Sequence, residues 1–242
     1  MRLLKSVLTG LVVTMAFTSL QAQTVDEVIS KHLDAIGGKE KLLALNSVVM
    51  DANMTVQGTE IGFKMTELHN KGQRIDITAM GMAGYIIQTV TEGWRFLPFQ
   101  GQAKPEATPA ETVKEVADAL DIQSSFLNYK EKGHQVELVG KEDVEGTEAF
   151  KLKLKMKGGL EQTIFLDPTT YYIIKVVTKS KATGQEVEQS QTFSNYKKID
   201  SGYVFPFSMT GFGPGELTIS KIQVNVPIDE KIFKVSETAT GK

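Results

Sequence analysis

The sequence predicts an α+β fold that is mainly β: a large curved antiparallel sheet or barrel of about ten strands with two or three helices. Three observations carry this. From Ser47 onward apolar and polar residues alternate with period two over most of the chain. Turn residues recur about every ten positions, as expected of one large sheet or barrel. Helical periodicity is confined to the start of this region and to one stretch inserted between two runs of strands.

The first 22 residues stand apart from the fold. Met1-Arg2-Leu3-Leu4-Lys5 is a short basic start, Ser6 to Leu20 is mostly apolar, and Leu20-Gln21-Ala22 ends in a small residue. This is the pattern of a cleaved secretory signal peptide. An apolar run of about 15 residues is short of the roughly 20 needed to span a bilayer. No Cys stands at the cleavage point to be acylated, and none occurs anywhere in the chain. The expected mature protein is residues 23–242, one domain in the periplasm without a lipid anchor. Thiol catalysis, disulfides and Cys-ligated metals are excluded.

Beyond the signal, Thr24-Val25-Asp26-Glu27 reads as a capping box. Val25, Val28, Ile29, Leu33 and Ile36 then share one helical face, and Gly37-Gly38 supplies the stop. A short second helix is predicted over Lys39–Leu45, with Leu42, Leu43 and Leu45 inward. Val48, Met50, Ala52, Met54 and Val56 alternate with polar residues, Gly58-Thr59 turns the chain, and Ile61, Phe63 and Met65 return. Asn70-Lys71-Gly72 turns it again into Ile75, Ile77 and Ala79. Another strand begins at Tyr85-Ile86-Ile87, and Trp94 to Phe99 leads into a loop over 100–105. Pro109 to Ile122 returns to helix, with Pro109 in the first turn and Val113, Val116, Ala117 and Leu120 on one face.

The second half is again strands. Phe150, Leu152, Leu154 and Met156 alternate with four lysines, and Gly158-Gly159 makes a hairpin turn. Ile164 to Leu166, Tyr171 to Val177 and Val187 to Phe193 continue, with Gly184 in a turn. Asp200-Ser201-Gly202 forms another turn, and the last strand runs from Leu217 to Val226.

Composition bounds the function. Residues 23–242 carry 25 basic and 29 acidic residues, a net charge near −4. That balance argues against a nucleic-acid partner. There is no Gly-x-Ser-x-Gly elbow, phosphate-binding glycine loop or His-Glu-x-x-His. His32, His69 and His134 are separated in sequence and are expected to be solvated. Glu142 to Gly146 reads as a solvated turn rather than a calcium loop. No enzyme activity, cofactor or metal is expected. Five of the seven methionines after the signal, Met50, Met54, Met65, Met80 and Met82, fall in the first run of strands. Methionine adapts its shape to varied apolar partners. The candidate lining of an apolar ligand site is therefore Met50, Met54, Phe63, Met65, Ile77, Tyr85, Ile87, Trp94 and Phe96. The same pattern also fits a filled core.

Three stretches resemble a known family. Ile29-Ser30-Lys31-His32-Leu33-Asp34-Ala35-Ile36-Gly37-Gly38-Lys39-Glu40-Lys41 is similar to the start of exported Bacteroidetes outer-membrane lipoprotein-sorting proteins. Phe193 to Pro206 is similar to that family's Tyr, then Asp and Gly, then Phe-Pro signature: Tyr196, Asp200, Gly202, Phe205 and Pro206. Val224-Asn225-Val226-Pro227-Ile228-Asp229-Glu230-Lys231-Ile232-Phe233 resembles its ending. The wider superfamily is LolA/LolB-like. The resemblance implies a strongly curved antiparallel half-barrel whose open concave side is covered by helices. It also implies that lipid or lipoprotein acyl chains are held between them, with transient membrane contact. Superfamily members also include sensors and other lipid binders, and the alternative reading of this chain is an envelope protein-interaction or sensor module with the same fold and no ligand.

Overall fold

A computed structural model describes residues 23–180 and 187–235. The expected signal peptide and the turn at Gly184 lie outside the described residues. The chain begins with α1 (Val25–Ala35) and α2 (Lys39–Leu43). A first meander follows: β1 (Ser47–Val56), β2 (Thr59–Leu68), β3 (Gly72–Ala79), β4 (Met82–Thr89), β5 (Gly93–Phe96) and β6 (Glu106–Ala107). Then come α3 (Ala110–Val116) and a second meander, β7 (Gln135–Val144), β8 (Thr147–Lys155), β9 (Glu161–Leu166) and β10 (Ile173–Ser180). β11 (Val187–Lys198), β12 (Val204–Thr210) and β13 (Leu217–Val224) complete it.

All thirteen strands form one antiparallel sheet, in the order β6-β5-β4-β3-β2-β1-β13-β12-β11-β10-β9-β8-β7. It is open, with β6 and β7 as edges. Open sheets rarely exceed about ten strands without curling. The expected count of about ten was too low. β7 went unrecognised, and β5 and β6 are a short hairpin where the sequence reads as passage into a loop.

The helices form for the predicted reasons. Glu27 N–H donates to Thr24 Oγ1 at 3.2 Å, and Thr24 N–H donates to Glu27 Oε2 at 2.9 Å, completing the capping box. Gly38, at φ +88° and ψ 153°, takes a positive-φ extended conformation that favours glycine and separates α1 from α2. Leu42 and Leu45 are buried as expected, but Leu43 is 47% exposed, because it lies about 100° round the helix from Leu42. α3 is shorter than predicted: Pro109 precedes it, and Ala117–Leu120 tightens into a 3-10 turn.

One core cluster joins both layers. Val28, Ile29 and Leu33 of α1 pack with Phe126 and Leu127 against Leu152, Leu154, Ile164 and Leu166 of β8 and β9. The inserted segment 109–133 then ties separated parts of the sheet together. Asn70 N–H donates to the Leu120 carbonyl at 3.0 Å at the β2–β3 turn. Ser180 Oγ donates to Glu115 at 3.2 Å at the end of β10. Gly158 N–H donates to Asp118 at 2.5 Å in the β8–β9 turn. Gln123 Nε2 reaches the carbonyls of Leu43 and Leu45 at 3.0 and 3.1 Å.

Candidate functional site

Between this helical layer and the second meander lies a cavity of about 310 Å³. Its helix side is lined by His32, Ile36, Leu42, Leu45, Ile122 and Phe126. Its sheet side is lined by Ile164, Ile173, Val176, Phe193, Tyr196 and Phe205. Period-two alternation brings Ile164, Val176 and Phe193 to one face, while Ile173 lies beyond a register shift in β10 and Tyr196 follows the positive-φ residue Asn195. Ile164 pairs with Val176, and Val176 with Gln191, two residues from Phe193 on the same side of β11. A larger groove of about 530 Å³ crosses β7–β10 on the far face, but Glu137, Lys153, Lys155, Glu161 and Lys179 dominate its wall. It offers little for an apolar ligand.

The polar groups of the apolar cavity are mostly held by the protein. Tyr196 Oη donates to the Ile173 carbonyl at 2.5 Å and its ring stacks on Tyr172 at 4.4 Å. Burial pushes the Tyr196 hydroxyl well above the usual tyrosine range. Tyr203 Oη donates to the Lys41 carbonyl at 2.7 Å. Asp121 pairs with Lys132 and lies 3.4 Å from His69 Nδ1, anchoring the inserted segment at the cavity wall.

The expectation of three solvated histidines is corrected. His32 is 2% exposed and His134 7% exposed. His32 lies four residues from both Val28 and Ile36, so it belongs to the apolar face of α1. Its Nδ1 is 2.8 Å from the Tyr171 carbonyl and its ring meets Phe126 edge-on. Burial pulls the imidazole down to about 4, with the Tyr171 hydrogen bond opposing in part. His134 Nδ1 accepts from Lys157 N–H at 3.1 Å. Among the described residues no group of three or more His, Cys, Asp or Glu could hold a metal.

The nine residues singled out in the sequence do not share one wall. Met50 pairs with Met65, Ala52 with Phe63, and Phe63 with Ile77. Met50, Met54, Phe63, Met65 and Ile77 therefore lie on one face. Met54 also pairs with Leu217, which pairs with Met209, itself opposite Phe193. This is the helix-covered face, and Met54 and Met65 pack there with Met209, Leu217 and Ile219 beside the cavity. Tyr85 pairs with Phe96 and Ile87 with Trp94, but their partners on β3 are Asp76 and Arg74. These four residues thus point to the opposite face. There Tyr85 and Ile87 pack with Phe233, and the Arg74 guanidinium sits 4.8 Å from the Tyr85 ring centre. None of the nine lines the 310 Å³ cavity. Its liners sit in elements the sequence did reveal. The available signal was the buried position of His32 and the run Tyr203-Val204-Phe205-Pro206.

No protein-family model matches the chain, and no curated protein is similar to it in sequence. Among solved structures it is similar to a DUF1329 family protein from Desulfovibrio piger, at 14% identity over 90% of this chain and 100% of that one, with a TM-score of 0.54. It is also similar to a LolA superfamily protein from Nitrosomonas europaea, at 14% identity over 88% of this chain and 99% of that one, with a TM-score of 0.52. The chain has a LolA-like fold, in agreement with the resemblance read from the sequence.

Proposed function

We propose that this protein binds and carries lipid-like ligands in the periplasm, holding an acyl chain between sheet and helices without covalent chemistry. The observation that carries the reading is the 310 Å³ apolar cavity between the two layers. Burying acyl methylenes there contributes about 0.8 kcal/mol per CH₂. Met50, Met54, Phe63, Met65 and Ile77 continue the same face beyond the cavity, and flexible methionines re-pack readily around the end of a longer chain. The LolA-like fold supports the same reading by analogy.

The test is titration of a fluorescent fatty acid into delipidated protein spanning residues 23–242, with native mass spectrometry of protein taken from its own envelope. Wild type should bind, and Ile173→Trp should lose binding while keeping its circular dichroism. Absence of both co-purifying lipid and probe binding would sink the proposal.

A second reading, docking of an envelope protein partner, has one observation in its favour. Met80 is 72% and Phe212 44% exposed. They lie in the β3–β4 and β12–β13 turns, which the pairing of Met54 with both Ile61 and Leu217 puts at the same end of the sheet. Capture of a specific envelope protein by wild type, lost in a Met80→Ser, Phe212→Ser double variant, would support it.

A further inference from the structure

We infer that the ligand of the apolar cavity presents an uncharged hydrogen-bond donor, a hydroxyl or amide N–H, to Nε2 of His32. The inference rests on the apolar-ligand reading above and specifies the head group. The tautomer follows from the partner. Nδ1 faces a carbonyl oxygen at 2.8 Å, and a carbonyl only accepts, so Nδ1 carries the hydrogen. In the neutral ring Nε2 is then a bare acceptor. Burial, which holds the imidazole neutral, supports this state.

Tyr171 is built to hold that arrangement. Its φ of +60° is a left-handed conformation uncommon for a bulky residue, and it directs the carbonyl at the imidazole. Its own hydroxyl accepts from Gln23 and Lys31 at 3.1 Å each, tying the turn to α1. The ring's one hydrogen bond among the described residues is at Nδ1, and Nε2 is not among the atoms sealed from solvent without a partner, so its free edge opens onto the cavity that His32 lines. An acceptor that opens onto an apolar cavity gives a ligand donor a hydrogen bond that the wall does not otherwise use.

The rest of the wall sets the charge of the head group. Tyr196, Tyr203 and Gln162 are committed to the Ile173 carbonyl, the Lys41 carbonyl and Thr178 Oγ1. Among the described lining residues there is one carboxylate, Asp121, and no Lys or Arg. An anionic head group would meet a bare imidazole nitrogen and the Asp121 carboxylate, whose cation, Lys132, is outside the lining and already engaged by that carboxylate. A hydroxyl or amide N–H meets in Nε2 an acceptor with no hydrogen of its own to offer, beside the Ser125 hydroxyl and the Gln162 side chain of the same wall.

The experiment compares 1-dodecanol, methyl dodecyl ether and dodecanoate on delipidated protein spanning residues 23–242, by calorimetric titration at pH 8. The expected result is that dodecanol binds more tightly than dodecanoate. The alcohol-to-ether affinity ratio should fall about tenfold in His32→Phe, the scale of one buried hydrogen bond. A ratio unchanged by His32→Phe, or tighter binding of dodecanoate, overturns the inference while leaving the apolar site intact. Binding of none of the three overturns the carrier reading itself, and the inference with it. Should His32→Phe not fold, nitrogen-15 NMR of the wild type decides. The alcohol should move the His32 Nε2 resonance and the ether should not, and an unmoved resonance with both ligands bound overturns the inference.

Discussion

Trp94, the only tryptophan, separates the two faces of the sheet in one experiment. It packs on the face opposite the cavity, against the cluster of Tyr85, Ile87 and Phe233, and its Nε1–H donates to Glu92 at 3.2 Å. Phe233 closes that cluster from the 3-10 turn Glu230–Phe233 and is 4% exposed. Its ring lies so close to Gly72 that a Cβ there would sit 2.9 Å from Phe233 Cγ. Truncating a buried Phe to Ala costs about 3–5 kcal/mol. Phe233 belongs to a small satellite cluster that can partly collapse, so we expect Phe233→Ala to cost about 3 kcal/mol. Urea unfolding followed by circular dichroism reads the loss, and Trp94 emission in the native baseline should shift to the red as the cluster loosens. Saturating the cavity of wild-type protein with an apolar ligand should leave Trp94 emission unchanged. A loss of less than about 0.5 kcal/mol, the range of ordinary surface substitutions, would refute the packing argument. A saturable shift of Trp94 emission with ligand would refute the assignment of faces.

Other outcomes follow from the same structure. His32 titrates at about 4 folded and near 6.5 unfolded, so the unfolded chain takes up the proton first. Its contribution to stability is complete above pH 6.5 and is lost as the pH falls to about 4. At about 1.4 kcal/mol per pH unit this comes to about 3 kcal/mol, read as the part of the urea-midpoint change between pH 7.5 and 4 that His32→Phe removes. Gly211→Ala should lower the melting temperature by several degrees, because φ is +88° and the added Cβ would collide with the Ser190 carbonyl; an unchanged melting temperature would contradict this. Asp121→Ala strips Lys132 and His69 of their shared partner. Amide exchange in 117–133 should then accelerate while exchange in β8 and β9 stays slow, and uniform acceleration would count against a local latch.

The meanders were legible because one face of each strand is wet. Alternation in Val48 to Val56 and in Phe150 to Met156 reports that contrast directly, and the Thr24–Glu27 cap is a local motif. β7 was harder to read: only Val136 and Leu138 of its first half pack on the core, and a bulge before Gly140 interrupts the alternation. Tyr85-Ile86-Ile87 is apolar on both faces, so period two could not say which side faced the helices. The answer lies in register with Arg74 and Asp76, a property of pairing rather than of composition. The cavity itself was illegible. Lining and filling demand the same residue types, and the bare nitrogen of His32 is set by a carbonyl 139 residues away.

The pairing of β1 with β13 also bears on how the chain folds. Every other strand pair in the sheet joins sequence neighbours, so each meander can zip locally. The β1–β13 seam instead brings together residues such as Asp51 and Ser220, 169 positions apart. Closing so long a loop pays its entropy before its contacts repay it. We therefore expect the two meanders to form as separate units and the seam to close late. Until it closes, β1 and β13 are bare edges in the middle of the future sheet, and the face that holds the cavity is not yet continuous.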